Sequence, residues 1–175
     1  MAIPHVPKSA GELEMLVAFL DYQRAVLIDK ASGLTQEQWG QRLEPSTMTL
    51  GGMIYHLTVV EESWFVDVFA GEGLGEPWAS VDWEADRDWE WNVAPTMDRE
   101  VVLDAYRQAI ERSNEIVAAA TSLDQLSVKK HSKSGEPWSL RWILVHMIEE
   151  TARHAGHADL IRESIDGEVG DFRDD

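Results

Sequence analysis

Ser139-Leu-Arg-Trp-Ile-Leu-Val-His146-Met-Ile-Glu-Glu150-Thr-Ala-Arg-His154-Ala-Gly-His157-Ala-Asp-Leu-Ile-Arg-Glu-Ser-Ile-Asp-Gly167 reads as one long helix. Ser139 is a residue type that caps helix starts, and Gly167 stands where helices stop. Alternating steps of four and three trace one face: Ile143, Met147, Glu150, His154, His157 and Ile161. The ends of this stripe are apolar. Its middle is a carboxylate and two imidazoles. Burying such groups is costly unless something satisfies them, and a metal ion would do so.

The rest of the chain runs at the same helical spacing. Ser9 with Glu12 makes a capping-box pattern opening a first helix, with Leu13, Leu16, Val17, Leu20, Val26 and Leu27 as its apolar stripe and Gly33 at its end. Thr35 and Gln38 repeat that pattern for a short helical turn ending at Pro45-Ser46. Thr49 caps a second long helix reaching about Ala70, and His56 lies on its stripe between Met53 and Val60. Thr96 caps a third, to about Ala120. No alternating strand pattern is read anywhere. The expectation is all-α: a four-helix bundle over residues 1–175 as one domain, with a short extra helix. Residues 1–8 read as an extended arm and 168–175 as an acidic tail.

Residues 71–96 form a long Trp-rich connection between the second and third helices. It holds Trp78, Trp83, Trp89 and Trp91 among acids. Connections of this length are uncommon and often cover ligands. Packing back onto the domain and covering a ligand both remain open for it.

Composition narrows the function. With 175 residues the chain can bury a sizeable core, and 44% apolar residues exclude a disordered chain. The formal net charge of −17 repels phosphate backbones and anionic lipid, so neither nucleic acid nor a membrane is an expected partner. No segment reads as a signal peptide or membrane span, so a cytoplasmic protein is expected. There is no cysteine, which excludes thiolate ligands and a cysteine nucleophile. Any thiol chemistry needs a thiol from outside.

Glu150 and His154 stand at i, i+4, so their side chains meet on one face. One helix can deliver both to a single ion. His56, on the stripe of another helix, can supply a third ligand. Two histidines and a carboxylate leave a position open for water or substrate, the usual form of a catalytic zinc site, which also suits Ni or Fe(II). His56 alone would read as a core histidine, and Glu150 alone as half of an ion pair with Arg153 or Arg162. His146 completes an i, i+4, i+8 series, but two helical turns rise about 11 Å, too far for convergence on one ion. His157, three after His154, reads as a fourth ligand, a neighbour of the site or a proton carrier.

The segment Thr49-Leu-Gly-Gly-Met-Ile-Tyr-His56-Leu with Trp64-Phe65, and later Leu144-Val-His-Met-Ile-Glu-Glu150-Thr-Ala-Arg-His154-Ala-Gly-His157, resembles the DinB/YfiT-like superfamily. The resemblance covers nearly the whole chain. It implies a four-helix bundle holding a divalent metal, usually Zn or Ni, on one His of the second helix and an i, i+4 pair of the last. At those positions stand His56, Glu150 and His154. The commonest pattern has His where this chain has Glu150. The mycothiol-dependent maleylpyruvate isomerase branch resembles the chain in using Glu there. That branch adds a C-terminal domain, for which 175 residues are not expected to leave room. The resemblance implies a metal-dependent enzyme using a low-molecular-weight thiol such as mycothiol or bacillithiol, as an S-transferase or thiol-dependent isomerase. In this reading His157 or Glu61 moves protons. Hydrolysis by metal-bound water, a non-catalytic metal or small-ligand bundle and a purely structural polar network are the competing expectations. A homodimer is compatible with them all.

Overall fold

In the computed structural model, which describes residues 3–169, long helices carry nearly every buried apolar side chain. Helix α1 (Glu12–Ala31) starts at Gly11 with no side-chain cap. The Ser9 capping box does not form: the Glu12 carboxylate accepts instead from Arg141 Nε at 2.7 Å. Helix α2 (Gln36–Trp39) has the expected reciprocal box between Thr35 and Gln38. Helix α3 (Leu50–Glu61) is capped by Thr49, whose Oγ1 accepts from Gly52 N at 2.9 Å.

The segment expected to stay α-helical to Ala70 widens to a π-helix over Glu62–Phe69. In this wider coil the consecutive aromatics face different neighbours. Phe65 is fully buried, while Trp64 packs edge-on to Trp138 at 5.4 Å. Runs of π-helix are rare, and short ones cluster at functional sites.

The long connection carries a short helix, α4 (Trp89–Val93). Helix α5 (Arg99–Ala119) starts two residues later than expected. Asp98 is its cap and accepts from Glu100 N at 2.8 Å, whereas the Thr96 hydroxyl donates to Val93 O. The segment between α5 and the last helix, where no strand pattern is read, contains a hairpin of β1 (Leu126–Lys130) and β2 (Pro137–Ser139), antiparallel with Leu126 opposite Ser139. Its strands are too short and too exposed to show alternation. Val128 of β1 lies on Gly71, where φ is +75° and an added Cβ would come within 2.8 Å of Val128 Cβ.

Helix α6 (Leu140–Asp166) confirms the opening stretch. Ser139 Oγ accepts from Trp142 N at 3.2 Å, and Gly167 ends the helix at φ +80°. Helix α1 packs along α6, and α3 along α5, while α3 also meets α6 and α1. One apolar cluster joins α1, α3 and α5 around Trp39, Met53 and Tyr106. A second joins Leu20, Phe65, Ile143 and Met147. Beyond α6, Glu168 pairs with Arg162 at 2.7 Å and Val169 O accepts from Lys30 Nζ at 3.0 Å, so the first residues of the expected loose tail are docked. The remainder of the acidic tail, 170–175, lies outside the described residues. Among the described residues, no helix is long and apolar enough to cross a membrane.

Candidate metal centre

The facing of α3 and α6 brings His56 to Glu150 and His154. Each offers a ligand atom, and these atoms all lie within 4.8 Å of one another. His56 Nε2 is 3.7 Å from Glu150 Oε1, and His154 Nε2 is 3.2 Å from the same oxygen. The two imidazoles meet edge-on, with ring centroids 5.2 Å apart. A carboxylate oxygen between two imidazole nitrogens is a donor set suited to a divalent cation. His154 is nearly buried, and burial, followed by repulsion from His56, pushes its pKa down despite the pull of Glu150. Its ring is therefore held neutral, the form in which imidazole binds metals.

The connection expected either to pack or to cover a ligand packs back onto α3 and reaches the cluster. Trp78 and Trp89 pack on Tyr55 of α3, with ring centroids at 4.6 and 6.2 Å. One residue on, Glu90 Oε1 lies 2.9 Å from His56 Nδ1, and the Trp91 ring stacks on His56 at 4.9 Å. Trp91 also approaches His154, at 6.1 Å. Asp86 braces this turn from outside, accepting from Asp88 N and Asn92 Nδ2. The sequence reading passed over Glu90 and Trp91 as site residues. The only signal for them was their place in a long aromatic connection.

The other candidates fall outside the cluster. His157 lies one turn beyond His154, ring centroids 5.8 Å apart, with its Nδ1 buried and without a partner among the described residues. Glu61, considered as a proton carrier, is five residues after His56 and about 140° round the helix from it. Both its oxygens accept from Arg24, at 2.7 and 2.6 Å, in a fully buried pair between α1 and α3. His146 stacks on Trp142 at 5.1 Å and meets Trp64 edge-on, one turn short of Glu150, as its spacing required. Arg153, offered as a partner of Glu150, takes Glu149 at 2.6 Å and reaches Glu150 only at 3.5 Å. Arg162 binds Asp166 instead.

A family profile described as mycothiol-S-transferase matches residues 15–167, a span containing every residue of this cluster. Among curated proteins no match is found. The profile covers far more than half of the chain, and its family is a DinB/YfiT-like one. The chain belongs to the mycothiol-S-transferase family.

Proposed function

We propose that this chain is a divalent-metal-dependent S-transferase that activates an external low-molecular-weight thiol, mycothiol first, at His56, Glu150 and His154. The four long helical segments are read as the four-helix bundle of the superfamily, forming one domain over residues 1–175. The observation that carries the proposal is the convergence of three metal-competent side chains from two helices, in a chain without cysteine that belongs to a thiol-transferase family.

Two imidazoles and a carboxylate are a donor set that a divalent cation takes, which supports the reading. Burial lowers the pKa of His154, which favours the neutral imidazole that binds metals, and the Glu150 carboxylate lies between the two rings. Three protein ligands leave a position for a substrate atom. Zinc suits this set best, and Ni or Fe(II) also fit. A cation held by these residues would supply a lowered pKa to a thiol beside it, so that thiolate would be available near neutral pH. The protein residues do the rest. Glu150, His56 and His154 fix where the sulfur sits. Trp91 walls the site beside both imidazoles. His157, one turn away with a buried Nδ1 that has no partner among the described residues, is assigned the proton released by the thiol. Glu61 is given no proton in this scheme, because both its oxygens are committed to Arg24.

The test is conjugation of mycothiol to an activated alkyl or aryl halide, followed as loss of free thiol. The zinc-loaded protein is expected to accelerate this reaction and His154→Ala to abolish the acceleration. A zinc-loaded protein that neither binds nor consumes mycothiol or bacillithiol, yet hydrolyses an ester or amide, would replace transfer with hydrolysis.

A further inference from the structure

The two histidines of the cluster are not held alike. His154 Nδ1 is buried and has no partner among the described residues. His56 Nδ1 faces a carboxylate at 2.9 Å. That carboxylate belongs to Glu90, 34 residues along the chain and 4% exposed. A glutamate so buried ordinarily needs a cationic partner. Among the described residues, no Lys or Arg side chain bonds to Glu90, and its Oε2 has no partner at all. Among the described residues, the one side-chain bond of this carboxylate runs to the ring of a candidate metal ligand.

We infer that Glu90 is a positioning residue for the metal centre, holding the proton of His56 on Nδ1 and turning Nε2 toward Glu150 and His154. This rests on the metal reading proposed above. An imidazole has two nitrogens, and whichever is engaged elsewhere decides which one is left to bind. A carboxylate on Nδ1–H fixes the tautomer and raises the basicity of Nε2. The ring cannot easily flip out of this arrangement, because Trp91 lies against its face, stacked within 28°. Room for Trp91 comes from Gly52, where an added Cβ would stand 2.7 Å from Trp91 Cε3. The short helix α4 thus grips His56 by edge and face together. The π-helical widening begins only at Glu62, beyond this grip.

The experiment uses the full chain in three forms: wild type, Glu90→Gln and Glu90→Ala. Zinc affinity is measured by competition with a chromophoric chelator. The His56 tautomer is read from side-chain 15N shifts in the metal-free protein. Glu90→Ala is expected to weaken zinc binding about 10–100-fold and to let the His56 proton move between its two nitrogens. Glu90→Gln keeps the size and the acceptor oxygen but not the charge, so it should hold the tautomer and still bind zinc more weakly than wild type. Wild-type zinc affinity in Glu90→Gln, or an unchanged tautomer in Glu90→Ala, would overturn the inference. If Glu90→Ala does not fold, the affinity of Glu90→Gln decides alone. If the wild type itself binds no zinc, the metal reading fails, while the tautomer in the metal-free protein still judges Glu90.

Discussion

At the residue scale, burial separates two glutamates that look alike in sequence. Glu61 and Glu150 both sit on core-facing helices. Glu150 faces two imidazoles, whereas Glu61 is matched to Arg24 by a two-point ion pair. Arg24 also donates to Asp21 and to Asn114 Oδ1, tying α1 to α5. Burial opposes the Arg24 charge, but Glu61 outweighs it and pushes the pKa further up. Tyr106 nearby is pushed up as well, first by burial and then by the Glu61 charge. Removing one partner leaves the other charged and buried. Arg24→Ala should therefore cost about 3–5 kcal/mol in urea unfolding. Arg24→Met with Glu61→Leu should recover most of that loss, because a buried pair is worth little over apolar residues of its size. A double variant no more stable than Arg24→Ala would contradict this account.

At the element scale, the helices were legible and the connections were not. The stripe on α6, its Ser139 cap and its Gly167 stop could be read directly, because caps and periodicity are local properties. His56 could be placed on its stripe for the same reason. Glu90 could not: its role depends on where α4 lands, and that follows from Tyr55, Trp78 and Trp89 meeting in space. The Ser9 and Thr96 caps failed because other partners, one far along the chain and one three residues back, took their places. Arg141 claimed Glu12, and Val93 O claimed the Thr96 hydroxyl. The hairpin escaped notice because five- and three-residue strands with mostly exposed side chains show no period. Close approach between elements gives a sharper test. Fully buried Trp39 of α2 lies flat against Gly51 of α3, where an added Cβ would come within 2.6 Å of Trp39 Cε2. Gly51→Ala should therefore destabilise by about 1–3 kcal/mol, despite the better helix propensity of alanine. Thermal unfolding at or above the wild-type midpoint would show that the contact can relax.

For the whole molecule, the helices have a common consequence. Helix α3 carries His56, α6 carries Glu150 and His154, and the connection between α3 and α5 returns to hold His56 in place. With a net charge of −17 on the chain and a site of two imidazoles and one carboxylate, the arrangement favours a cation. Membership of the mycothiol-S-transferase family supports the proposal of an external thiol, since the chain has no cysteine. Central to all of this is that His56, Glu150 and His154 together hold a divalent metal, as proposed above. The direct measurement is metal content by mass spectrometry of untagged protein, loaded with zinc and then desalted, for the wild type and for His154→Ala with an intact circular dichroism spectrum. The account predicts about one zinc per wild-type chain, as a three-ligand site requires, and almost none in the variant. No zinc in the wild type, or equal zinc in both, would contradict it.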